Sequence, residues 1–189
     1  MAIPFEPNLY PDSLFDQTEV PLEIPSPDDD CRWWALYTRA RQEKAVAREL
    51  LGAGVHFYLP LIKKSAMYGS RRVTSYTPLF TGYVFMRGGG EQRVRALATN
   101  RLSRVLEVPD GARLWHDLRQ IQHLIATGAP LTAESRLTPG TRVRVCRGAM
   151  EGIEGTIISR RGQTRLLVHV DFLQQGASVE IDDLWVEPI

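Results

Sequence analysis

Cysteine is scarce in this 189-residue chain: there are two, Cys31 and Cys146. They lie far apart, and neither has a second cysteine or a nearby histidine, so neither a disulfide framework nor a zinc site is expected. A reduced, cytoplasmic setting fits that usage. No apolar run approaches the about 18–20 residues that a membrane-spanning helix needs, so no membrane partner is expected. Lysine and arginine are missing from residues 1–30, and a secretory signal, which begins with positive charge, is not expected there. Catalytic constellations are missing as well. The four histidines, His56, His116, His123 and His169, are scattered. His116 and His123, seven apart on one predicted helix with Arg119 between, describe a polar face better than a pair of metal ligands. Gly88-Gly89-Gly90 lacks the Lys and Ser/Thr that complete a phosphate-cradling loop. Ser159 and Ser178 lack a nucleophile-elbow setting. The expectation is therefore a chain that is not an enzyme and carries no cofactor or metal.

What is present is a lopsided charge. The net value of +1 hides eight acids in residues 1–30: Glu6, Asp12, Asp16, Glu19, Glu23, Asp28, Asp29 and Asp30. Past residue 30 there are 23 basic against 14 acidic side chains, a net of +9. Residues 138–189 are about neutral, with six basic and seven acidic side chains, so the positive charge lies in the middle segment. Such a segment suits a polyanion or an acidic protein surface. Residues 1–30 also hold six of the twelve prolines. Proline removes donors and fixes φ, and the stretch reads as a mostly disordered acidic tail that has the option of folding back on the basic segment.

At Trp33 the texture changes. Trp33 to Thr38 is aromatic and apolar, as in a buried strand. Gln42 to Ala53 has helical spacing, with Val46 and Leu50, and Ala47 and Leu51, on an apolar stripe and Glu43, Lys44, Arg48 and Glu49 outside. Phe57 to Ile62 is strand-like. Tyr68-Gly69-Ser70 forms a hairpin tip between Lys63, Lys64 and Arg71, Arg72. Leu79 to Met86 is a further buried strand. Glu91 to Thr99 is a short helix with Val94, Leu97 and Ala98 inward; Arg104 to Val108 is a strand; His116 to Thr127 is a helix. The order predicts an α+β domain over 31–127, an antiparallel sheet with flanking helices. Residues 128–138 read as a polar linker. From 139 to 189 the pattern is all strand: Arg142 to Cys146, Gly152 to Ser159, Leu166 to Phe172, Ala177 to Ile181, and Trp185-Val186. Five short strands in about 50 residues predict a small closed barrel. The β-branched Val143, Val145, Ile157, Ile158, Val168 and Val170 favour strands over helix there. Gly148, Gly152 and Gly155 serve positive φ or close backbone approach.

Two stretches resemble a known family. Trp34-Ala35-Leu36-Tyr37-Thr38-Arg39, followed by Gln42 and a helix and then by Pro78-Leu79-Phe80-Thr81-Gly82-Tyr83-Val84-Phe85, resembles the NGN domain of NusG-type transcription factors. Thr138 to Val145 followed by Gly148 to Ile157 resembles a KOW motif, the SH3-like five-stranded barrel. The Pro-Leu-Phe run is similar to RfaH-type specialised paralogues, and Thr81 and Gln92-Arg93-Val94-Arg95 depart from the general NusG and RfaH patterns. The resemblance implies a transcription elongation or antitermination factor, acting as a monomer. It implies an exposed aromatic depression at Tyr37 and Phe80, completed by Leu106 and Val108, that receives the clamp helices of the largest RNA polymerase subunit. It places the segment Gln92–Arg95 near the gate loop of the second-largest subunit. Arg39, Arg41, Lys44 and Arg48 are implied contacts to upstream or non-template DNA; Arg41, Lys44 and Arg48 are spaced as one helical face. Met150 and Ile153 are implied to present an apolar loop to a small-subunit ribosomal protein or to Rho. The rival expectation is a KOW-type RNA-binding or ribosome-associated protein, against which the neutral charge of the barrel segment argues.

Overall fold

The computed structural model describes residues 6–16, 31–136, 139–160, 162–181 and 186–189, with Tyr68 and Arg71 described by backbone alone. Among these residues the chain is α+β, with three α-helices and antiparallel sheets. It divides into two compact units, residues 1–112 and 113–189.

The first unit contains β1 (Leu9–Tyr10), β2 (Arg32–Thr38), α1 (Glu43–Gly52), β3 (His56–Tyr58), β4 (Leu61–Tyr68), β5 (Arg71–Pro78), β6 (Tyr83–Gly88), α2 (Gly90–Ala98) and β7 (Leu102–Glu107). The central sheet runs β1-β3-β6-β2-β7, antiparallel throughout. Alternation along its strands sorts the side chains into two layers. Trp34 and Leu36 of β2, Val84 and Met86 of β6 and Phe57 of β3 share one face and pack with Val46, Ala47 and Leu50 of α1 and Ala96 of α2. Trp33, Ala35 and Tyr37 point the other way, beside Tyr83, Phe85 and Tyr58. Burial pushes the Tyr58 phenol well above its usual range, so the ring stays neutral.

Four sequence expectations change in this unit. The acidic tail is not wholly without structure. Residues 6–16 are described, and β1 pairs with β3 at Leu9↔Tyr58 and Tyr10↔Phe57. Phe15 stacks on Trp33, with ring centroids 6.4 Å apart, and meets Tyr58 edge-on at 5.1 Å. Leu14 and Phe15 are buried, so two apolar side chains outweigh the local proline and acid content. Residues 1–5 and 17–30 of that tail lie outside the described residues. Glu43 is buried, not on the outer face of α1, because its carboxylate accepts the Gly82 N–H at 2.7 Å. In α2 the inward residue is Ala96, while Val94, Leu97 and Ala98 are exposed. At the helix start Gln92 Oε1 accepts the Gly89 N–H at 3.0 Å, and the Arg93 guanidinium lies 5.6 Å from the Trp34 ring. The strand expected from Leu79 starts at Tyr83, since Gly82 (φ +84°) breaks the extended run.

The second unit holds α3 (Gly111–Ala126) from Arg113 onward, then β8 (Leu131–Glu134), β9 (Thr141–Val145), β10 (Glu154–Arg160), β11 (Gln163–Val170), β12 (Gln175–Glu180) and β13 (Val186–Pro188). Its sheet is ordered β13-β9-β10-β11-β12-β8. The extra strand comes from 128–138, the stretch expected to be a polar linker. Its polar residues explain why it pairs. Arg165 is buried and donates to Ser178 Oγ at 2.9 Å and to Thr132 Oγ1 of β8 at 3.0 Å. Ser178 in turn donates to Glu134 of β8 at 2.6 Å, and Arg160 pairs with the same carboxylate. A buried guanidinium needs acceptors, and β8 supplies them. Residues 137 and 138, Arg161 of a predicted turn, and Trp185 of the last predicted strand lie outside the described residues. Within this unit α3 is bonded to the strands: Asp117 accepts the Asp171 N–H at 2.9 Å and Gln120 accepts the Glu154 N–H at 3.3 Å.

Candidate functional site

The site is built around the turn between β5 and β6. Leu79 and Phe80 point inward and are buried. Phe80 is 1% exposed and meets Phe85 edge-on with centroids 6.0 Å apart. The turn then reverses at Gly82, held from two sides: Glu43 of α1 accepts its N–H, and its carbonyl accepts the Thr38 N–H at 2.8 Å. A Cβ at residue 82 would stand 3.0 Å from Tyr37 Cε2, so glycine lets the Tyr37 ring lie over the turn. Tyr37 is 39% exposed. Its cross-strand neighbours are Tyr83, 5.1 Å away ring to ring, and the exposed Arg104. The next row on the same face is Phe85, Ala35 and Leu106, with Leu106 partly buried. The result is a small, rigidly backed aromatic surface with a guanidinium at its rim. It has the means to bind an apolar protein element and no group placed for bond chemistry.

The sequence model of the family described as transcription termination factor nusG matches residues 31–125, half of the chain. The chain belongs to the NusG family. No curated protein matches it. NusG-family proteins are transcription factors that bind RNA polymerase, and this chain is a transcription factor in that general sense.

Against this NusG-family frame the expected residues divide. Tyr37 and Leu106 share the open aromatic face; Phe80 and Val108 do not reach solvent. Phe80, expected as half of an exposed depression, is sealed because the turn ahead of Gly82 folds Leu79 and Phe80 into the interior. The ring that partly reaches the surface beside Tyr37 is Tyr83, which lies in the stretch expected to be a buried strand. Its position directly after the reversing Gly82 was the available signal. Of the cations, Arg39 and Arg41 are exposed, but Arg41 (φ +60°) precedes α1 and does not share its face. Lys44 and Arg48 are on α1, where Glu6 takes both: Nζ at 3.7 Å and a guanidinium nitrogen at 2.7 Å. Arg101 pairs with Glu49 at 2.6 Å alongside them. In the second unit Met150 is half-buried in the loop after β9. Ile153 is fully buried, because its carbonyl accepts the Val145 N–H at 2.9 Å and so registers it with the inward Val145.

Among the described residues no group of acids, histidines and cysteines is arranged to hold a metal, and no helix is long and apolar enough to cross a membrane. A separate open hollow of about 400 Å³ is lined by Cys31, His56, Arg87 and Gly88 to Gln92. Partial burial and then the Arg87 charge lower the His56 pKa.

Proposed function

We propose that this chain is a transcription elongation factor that docks on the clamp helices of RNA polymerase through the Tyr37 face. The supporting observation is the exposed Tyr37 ring, backed by Gly82 and Tyr83 and rimmed by Arg104. Leu106 extends that surface, while Phe80 and Val108 are buried and take no direct part in it. The segment Gln92–Arg95 of α2 faces the gate loop across the cleft. Bound to both sides, the factor favours the closed, elongating conformation over the opened, paused one through differential affinity, and so suppresses pausing or termination. Arg39 and Arg41 add contact to upstream or non-template DNA. Residues 139–189 act as a KOW-type barrel, with the loop around Met150 meeting a small-subunit ribosomal protein or Rho. Thr81 and the Gln92–Arg95 segment mark a specialised paralogue acting as a monomer in the cytoplasm.

Tyr37→Ala in the full chain tests the docking. Binding to core RNA polymerase is expected to weaken by about tenfold to thirtyfold, as for removal of an aromatic anchor worth about 1.4–2 kcal/mol. Unchanged affinity would place the contact elsewhere. Fractionation with ribosomal subunits rather than polymerase would favour the RNA-binding alternative.

A further inference from the structure

Helix α1 carries two cations whose partner comes from outside the family-matched span. Lys44 and Arg48 are one turn apart on the helix, and like charges at that spacing repel each other. An anion shared between them removes the repulsion, and the chain supplies one from far upstream. Glu6 meets both, with one carboxylate oxygen 3.7 Å from Lys44 Nζ and the other 2.7 Å from an Arg48 guanidinium nitrogen. The segment that carries Glu6 is fastened along its length. Pro7 is buried, and the Asn8 carbonyl accepts the Leu59 N–H at 2.7 Å. β1 then joins the β3 edge through Leu9 and Tyr10, and Leu14 and Phe15 are buried. Glu6 is thereby held at a high effective concentration over the α1 pair.

We propose that residues 6–16 form an autoinhibitory strap, with the Glu6 carboxylate standing in for a backbone phosphate of DNA on the Lys44–Arg48 pair. A carboxylate and a phosphodiester each present two oxygens that an ammonium and a guanidinium can share. The occupant is exchangeable. The Glu6 side chain is 19% exposed, while Lys44 and Arg48 are 31% and 55% exposed, so an incoming phosphate reaches both cations without unfolding the strap. Ion pairs this open are weak and screened by salt. A DNA backbone offers a row of phosphates and gains further from counterion release. In the free chain the pair is occupied; a phosphate row aligned along α1 displaces Glu6. This inference rests on the DNA contact proposed above and adds its regulation. Arg39 and Arg41 are exposed at the outset, and Lys44 and Arg48 join them when Glu6 leaves.

The test titrates full-length Glu6→Gln at low salt, by anisotropy, against a fluorescent DNA duplex and against its single strand. Binding to at least one of them is expected to tighten about threefold to tenfold over wild type. Asp12→Asn makes the same change of charge at an exposed residue of the same segment, and is expected to move affinity by less than about twofold. Lys44→Gln with Arg48→Gln should cost several times more affinity in the Glu6→Gln background than in the wild type. Circular dichroism and thermal melting check that the Glu6 variant stays folded. Equal binding by wild type and Glu6→Gln would overturn the strap while leaving the DNA contact in place. So would a gain matched by Asp12→Asn, or one that survives the loss of Lys44 and Arg48, since either result would trace it to net charge. If neither form binds DNA, the DNA contact itself fails and the strap with it. Tyr37 docking is untouched by any of these results.

Discussion

Phe80→Ala is expected to destabilise the first unit by about 3–5 kcal/mol, the cost of emptying a large buried aromatic site. The ring is 1% exposed and meets Phe85, itself fully buried, at 89° between ring planes. Truncation would leave a hole behind the Gly82 turn and loosen the backing of Tyr37. Denaturant unfolding should show the first transition at a markedly lower midpoint, with loss of polymerase binding following loss of the fold. Tyr37→Ala should cost less stability by comparison, since its residue is 39% exposed where Phe80 is sealed. If Phe80→Ala kept the wild-type midpoint and lost only binding, Phe80 would be a surface contact and its place in the interior would be wrong.

Gly155→Ala is expected to cost about 2–3 kcal/mol in the second unit. Residue 155 sits in β10, and a Cβ there would stand 2.6 Å from the Leu167 carbonyl oxygen and 2.8 Å from Leu166 Cδ1. Backbone of the neighbouring strand cannot give way without breaking the β10–β11 ladder. Gly148→Ala provides the contrast. Its φ is +89° but nothing stands within 4 Å of the added methyl, so the cost is conformational alone, about 1–2 kcal/mol. Thermal unfolding of both variants should rank Gly155→Ala as the more damaging. Equal melting temperatures would mean that the strand spacing yields more easily than this geometry allows.

The legible part of the fold is what periodicity controls. Helix α1 is expected at Gln42–Ala53 and runs Glu43–Gly52; the hairpin turns at Gly69 as its flanking charges suggest. The strands of the second unit fall close to their expected places because alternating β-branched residues mark them. What escapes is set by single polar bonds. Glu43 looks like a surface residue until Gly82 supplies a buried N–H for it. Thr132 and Glu134 look like linker until Arg165 needs acceptors. In α2, Val94 and Leu97 look like an inward stripe, but Ala96 is the residue that faces the core. The docking surface is half legible for the same reason. Tyr37 alternates outward on β2, while the direction of Phe80 depends on a turn whose shape no local pattern prescribes.

The short β1 strand has a practical consequence. It occupies the β3 edge, and Phe15 behind it closes an aromatic notch made by Trp33 and Tyr58. A recombinant fragment trimmed to the family-matched span, starting at Cys31, would bare both a row of unpaired amides and a greasy cleft. Such a fragment is expected to self-associate where the full chain does not, which light scattering of the two at matched concentration would reveal.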